Sequence, residues 1–443
     1  MSSLHLSSWR RILSVYLCLN QASRGQRLKE LSQDTDVDPP PSHLGVGVVH
    51  HCPPAGKRDE IGSSQTQSGL LCTHTHIFKE TAASVTGNAH NKAASDLQGP
   101  PSTSRRQGLG AKGLFLSLQI FWEDGIISGY RHPKSSALDC VLSSFQMNNE
   151  TINIWTHFLP TWYFLWRFLV LSYSLDFWGD SYSWPFLAYM SLVCLYPFTS
   201  SCAHMFSTMS THARHICYFL DYGALSLYSL GCAFTYGAYA MPDCWVNGPL
   251  HRYFVPTAAF NSFICTSLSC YSRFLELECP RVSKILRTVA FMYPFLFDNI
   301  PLFYRLLFCF GDGCAWNDSI AGYFYHLFFA ALTGFLFASH LPERLAPGRF
   351  DFIGHSHQLF HICAVVGTHF QLEAVLWDLR SRRAWLSAHA PVAIFTHTFA
   401  TLGAALLGNL ALLATFTAAL LRSAGGVSIL QSNVPEAEPP KEK

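Results

Sequence analysis

The sequence predicts an all-α protein, a helical bundle that crosses a membrane repeatedly, with seven core transmembrane helices and an eighth at the C-terminus. Three observations predict it. Of 443 residues, 49% are hydrophobic and only 13% charged, where soluble globular proteins carry about 25% charged residues. From residue 153 onward the chain is a series of apolar blocks, each near the roughly 20 residues a bilayer core demands of a helix. The blocks are too long for barrel strands of about 10 residues, and lipid leaves no backbone polar group unpaired, so helices remain. Thirty Lys plus Arg against 28 Asp plus Glu leave +2, with no basic surplus for nucleic acid.

Residues 1–110 are polar and rich in breakers such as GVGVVHHCPPAGK, and read as a disordered or atypical N-terminal extension. Arg10-Arg11 before ILSVYLCL has the order of a signal peptide, but the apolar run is short and lacks a small-x-small cleavage site. A pre-helix segment, 111–152, follows. The bundle fills 153–422, in blocks at about 153–174, 184–206, 215–240, 252–271, 288–310, 319–340, 355–377 and 389–421. A polar tail occupies 423–443.

Loop cations set the orientation. With the pre-helix segment in the cytosol, the inner loops hold Arg214, then Arg273, Arg281, Lys284 and Arg287, then Arg344 and Arg349, against Arg252 alone in the first three outer loops. Arg380, Arg382 and Arg383 are the exception, placed outside between the seventh and eighth blocks. The tail is then cytosolic. Asn317-Asp318-Ser319 is a glycosylation sequon in an outer loop, and Asn149-Glu150-Thr151 falls on the inner side, where it carries no meaning. Most of the 15 cysteines sit inside apolar blocks and pack as small hydrophobes, while Cys244, Cys309 and Cys314 lie at or near outer loops compatible with one disulfide.

The chemistry concentrates in a few polar residues of the blocks, where ionisable groups are costly. His357 and His361 stand four apart in GHSHQLFH, stacked about 40° and 6 Å apart on one helix face, a spacing that suits two ligands to one metal ion. His355 should face elsewhere. Under the N-in topology His204, Asp221, His357 and His361 fall at one depth in the inner leaflet, from three helices. Three imidazoles with an open fourth position are the arrangement of a catalytic or water-binding Zn²⁺, and a nearby carboxylate can hold or deprotonate the water. Ser200 lies one turn before His204, placed to orient water or a carbonyl. The plainer alternative is four separately hydrogen-bonded polar groups. Elsewhere, Asp298 and Arg305 are seven apart and expected to pair or to line a ligand cavity, Arg167 to snorkel, and Gln371 and Glu373 to near water at the outer end.

The strings NNETINIWTH (148–157), SSCAH (200–204), FLDYGALSLY (219–228), PERLAPGRFD (342–351) and IGHSHQLFH (353–361) resemble the signature blocks of the progestin and adiponectin receptor family. LDCVLSSFQM (138–147), CYSRFLELE (270–278), FLFDNIPLFYRL (295–306) and ICAVVGTHFQLEAVLWD (362–378) are similar to the membrane progestin receptor branch, to its delta type first and its gamma type next. The resemblance spans about 121–423. It implies a zinc site surrounded by Ser200, His204, Asp221, His357 and His361, with the three histidines as ligands. It further implies a plasma-membrane receptor for progesterone or related neurosteroids, embedded among membrane lipids and signalling rapidly through heterotrimeric G proteins. Its alternative implication is a zinc-dependent amidohydrolase of ceramide-like lipids, with Asp221 as general base and Ser200 holding the carbonyl.

Overall fold

A long apolar run can satisfy its backbone in lipid only by coiling, and the described part of each of the eight blocks is largely helical. The computed structural model describes residues 123–276, 278–308, 318–390 and 397–425. Ahead of the bundle comes α1 (Ala137–Ser143), opened by a reciprocal cap between Ser136 and Asp139. Then follow α2 (Thr151–Ser172), α3 (Trp184–Phe206) and α4 (Thr211–Thr235), the last running on through a π-helical turn, Tyr236–Ala240. Next are α5 (Pro249–Phe274), α6 (Pro280–Asp298), α7 (Ile300–Leu307), α8 (Asp318–Ser339) and α9 (Ser356–Ser381). The short α10 (Arg383–His389) and the long α11 (Phe399–Gly425) are the last of the described helices. No strand occurs among the described residues. Among the described residues four spans are individually long and apolar enough to cross a bilayer: 181–206, 318–339, 356–381 and 399–422. The readings of 1–110, the signal-like stretch, Asn317, Cys309, Cys314 and most of the 423–443 tail fall outside the described residues. Cys244 is a free thiol.

Two blocks differ from the sequence reading. The fifth breaks at Asn299, between α6 and α7, with Pro301 in the first turn of α7, where a missing N–H costs nothing. The eighth begins at Phe399, ten residues later than expected, because 383–389 forms its own short helix.

Sequential helices pack against one another from α2 to α6, and α9 closes the bundle by packing on α2 and α8. The approach of α8 to α9 needs Gly322, where a Cβ would lie 2.9 Å from Ala374 Cβ and 3.2 Å from the Phe370 carbonyl oxygen. Helix α11 rides outside on α4 and α5. Phe219, Cys270, Leu413 and Leu420 form its apolar seam, and Asn409 joins it to α5 by accepting from Thr266 at 2.5 Å and donating to Ser262 at 3.1 Å.

The two ends of the bundle are built differently. At the end where α2 begins, residues 123–150 fold across the helix termini. Asp351 accepts from Ile127 N (3.0 Å) and Ser128 N (2.8 Å), and Arg131 donates to the last carbonyls of α3, His204 O at 2.5 Å and Met205 O at 2.7 Å. That satisfies carbonyls a helix end leaves orphaned. At the opposite end two arginines of the Arg380–Arg383 cluster are paired: Arg382 with Asp243 at 2.5 Å and Arg383 with Asp180 at 2.7 Å. Those acids belong to the loops after α4 and α2, so the cluster shares their end of the bundle. Two of its three charges are therefore answered locally, which weakens its weight against the loop-cation trend. Topology has a direct test: tags in the 275–287 segment should be reachable only after permeabilisation, and tags in 309–317 from outside intact cells. The reverse pattern would invert the bundle.

Four polar residues behave differently from the sequence reading. Arg305 does not pair with Asp298, because the break at Asn299 destroys the continuous-helix spacing that would align them; it pairs with Asp378 on α9. Asp298 instead accepts from Ser229 on α4. Arg167 does not simply reach for water but pairs with Glu373 at 2.6 Å. Gln371 is buried, accepting from Tyr189 at 2.9 Å and Tyr228 at 2.6 Å.

Candidate metal centre

His204 sits in the last turn of α3, and His357 and His361 in the first two turns of α9. One ring nitrogen from each lies within 4.8 Å of the others. His204 Nε2 and His357 Nε2 are 3.1 Å apart, and the ring of His361 is centred 5.0 Å from His204 and 4.5 Å from His357. Two nitrogens on a tetrahedral zinc, each about 2.0–2.1 Å from it, stand about 3.3 Å apart. His204 and His361 are buried and His357 nearly so.

The outward-facing nitrogens decide which atoms are free. His204 Nδ1 meets the Glu150 carboxylate at 2.8 Å, which accepts a second bond from Asn153 Nδ2 at 2.8 Å. His361 Nδ1 meets the Asn153 carbonyl at 3.2 Å and Thr156 Oγ1 at 3.1 Å. A carboxylate and a carbonyl can only accept, so both Nδ1 atoms carry the proton and both Nε2 atoms keep a lone pair for a metal. This is how metal-bound histidines are ordinarily oriented, through an acceptor on the far nitrogen. Burial pushes the Glu150 carboxyl upward, but His204 and then Arg131 outweigh it and hold it below the ordinary carboxylate range. The donor set, three imidazoles with buried outer partners, fits zinc.

The other sequence-predicted residues divide. Asp221, on α4, interacts electrostatically with His204 without joining the three-nitrogen group, and Ser200 is buried on α3 one turn before His204. His355 caps α9 and turns to the Asn149 carbonyl at 3.4 Å, away from the triad.

Two residues at the site escaped the sequence reading. Glu150 precedes the first apolar block, inside a sequon, so it looked like loop chemistry. His157 lies on α2, stacked on His361 with ring centroids 3.7 Å apart and planes 18° apart, and neither of its ring nitrogens has a hydrogen-bond partner. Its spacing of four from Asn153 was the available signal, since both fall on the face of α2 that meets α9. Farther from the triad a tyrosine-rich network links α3, α4 and α9: Tyr196 and Tyr228 each stand 3.1 Å from Thr368 Oγ1, and Tyr228 also binds Gln371.

The profile of the haemolysin-III related proteins matches residues 145–372, a stretch that holds Glu150, His157, Ser200, His204, Asp221, His357 and His361. The chain belongs to the haemolysin-III related family. Within it, the human membrane progestin receptor delta is 67% identical over 315 residues, covering 71% of this chain and 92% of the relative. Membrane progestin receptor gamma-B of Danio rerio is 56% identical, covering 65% of this chain and 87% of its own length. Membrane progestin receptor alpha of Cynoscion nebulosus is 33% identical, over 63% of this chain and 81% of its own length.

Proposed function

We propose that this haemolysin-III related protein is a multi-pass plasma-membrane receptor for progesterone-like steroids, built round an intramembrane zinc centre and signalling rapidly through heterotrimeric G proteins. The observation that carries the reading is identity of 67% across nearly the whole of a relative named as a progestin receptor. His204, His357 and His361 would hold the metal, with Glu150 fixing His204 and Asn153 fixing His361. Zinc there would supply a Lewis acid facing the bundle interior. A binding protein of this kind needs no turnover, only an apolar setting with a few polar groups placed to meet the ligand's ketones.

The triad with a carboxylate nearby favours a second reading, zinc-dependent amide hydrolysis of a ceramide-like lipid. In that case Asp221 would take up the proton of the attacking water and pass it to the sphingoid amine as the C–N bond breaks, leaving the fatty acid, while Ser200 would steady the amide carbonyl.

Membranes carrying the chain should bind labelled progesterone saturably, and removal of residues 1–110 should leave that binding intact. No saturable binding up to the solubility of the steroid overturns the receptor reading. For the hydrolase, free sphingoid base is measured after reconstitution of the zinc-loaded protein with ceramide. Product released equally by Asp221→Ala would belong to a contaminant.

A further inference from the structure

His157 is 4% exposed, and both ring nitrogens are sealed from solvent and unpartnered. A neutral imidazole carries one donor and one acceptor, and protein interiors rarely leave both unused. A charged ring would be costlier still, because it would present two donors with no acceptor. Among the described residues no side chain supplies a partner to either nitrogen, and the one polar group of the chain that reaches the ring is the His361 backbone, so there is room for a further partner.

The surroundings limit that partner. The ring lies parallel to His361, 3.7 Å away. A metal ligand meets its ion in its own ring plane, so the nitrogens of His157 lie beside the triad and outside its ligand group. On a second side the ring meets Tyr196 at right angles, centroids 6.0 Å apart, and the Tyr196 hydroxyl is already engaged with Thr368. The helix on which His157 sits also carries Thr156, whose hydroxyl meets His361, and Asn153, whose backbone carbonyl meets His361 while its side-chain Oδ1 is buried without a partner. A free N–H therefore stands next to the metal position in an apolar, aromatic setting.

We propose that His157 donates a hydrogen bond to the carbonyl oxygen of a lipid or steroid bound beside the histidine triad. The inference rests on the reading of this site as one for a carbonyl-bearing apolar ligand, a ketone in a steroid or an amide in a ceramide. Stacking on His361 fixes the ring, so the N–H is held in place before the ligand arrives. Such preorganisation turns one hydrogen bond into selectivity for a carbonyl over a bare hydrocarbon.

The test compares wild type, His157→Phe and His157→Gln in detergent-purified full-length protein. His157→Phe keeps the ring stack and loses the donor, and His157→Gln keeps a donor. Labelled progesterone should bind His157→Phe about 3- to 10-fold more weakly than wild type, the worth of one hydrogen bond, with His157→Gln between them. Zinc content and melting temperature should stay at the wild-type values or, for the melting of His157→Phe, rise. Zinc lost from His157→Phe would make the residue part of the metal shell, and a markedly lower melting temperature would give it a structural partner; either overturns the proposal, as does unchanged affinity. If wild type binds no progesterone, the receptor reading fails by itself. The same comparison is then made with a fluorescent short-chain ceramide, and equal binding by wild type and His157→Phe, or binding by neither, overturns the proposal.

Discussion

Wild-type protein purified without chelator should carry close to one zinc per chain, and His204→Ala, His357→Ala and His361→Ala should each carry little. Two imidazoles hold zinc far less tightly than three, and the three ring nitrogens already converge within 4.8 Å. The pattern of the surrounding variants is more informative than the triad alone. Glu150→Gln should keep the fold but weaken zinc about 10- to 100-fold, as expected when the acceptor behind a metal-bound histidine is lost. Asp221→Asn should retain most of the metal, since Asp221 lies outside the ligand group. Acid should release zinc below about pH 5 to 6, where protons compete for imidazole lone pairs. Elemental analysis of the same preparations measures all of these, and metal-free wild type would leave a cluster of hydrogen-bonded histidines.

Much of this site was legible because its residues repeat at helical spacing inside apolar blocks. His357 and His361 share a face by counting alone, and the alternation of helix direction predicts His204 beside them, where the three rings cluster. The supporting residues were less legible for physical reasons. Glu150 acts across a helix junction, 54 positions from His204, and no periodicity connects a pre-helix turn to the end of α3. Arg131 closes the same helix end from 73 positions away. The Asp298–Arg305 pair does not form: seven residues align only on an unbroken helix, and the kink that Pro294 and Pro301 suggest is a complete break at Asn299. The apolar blocks themselves were read well because bilayer thickness fixes their length, while Pro-rich block five and the start of block eight depend on tertiary contacts.

Asp378→Asn should be the most destabilising single substitution in the half of the bundle opposite the histidines, by about 3–5 kcal/mol, the usual cost of stripping one partner from a buried ion pair. The Asp378 side chain is fully buried and that of Arg305 is 10% exposed. Beyond Arg305, the carboxylate accepts from Ser319 at 2.7 Å and Tyr323 at 3.0 Å, so it ties α7 and α8 to α9. An amide there leaves the guanidinium without a counter-charge and presents Ser319 and Tyr323 with a mixed donor and acceptor. Asp298→Asn is the control, since it removes an equally intramembrane carboxyl. Among the described residues no cation pairs with Asp298; Ser229 donates to one oxygen and the other has no partner. An amide oxygen can still receive Ser229, so this change should cost no more than about 1 kcal/mol. Thermal unfolding in detergent compares the two. Replacing both Arg305 and Asp378 with Met and Leu should recover most of the loss, because the penalty lies in the stranded charge rather than in the missing bond. Equal losses from Asp378→Asn and Asp298→Asn, or no recovery in the double variant, would show that α7 is held to α9 by packing and not by the ion pair.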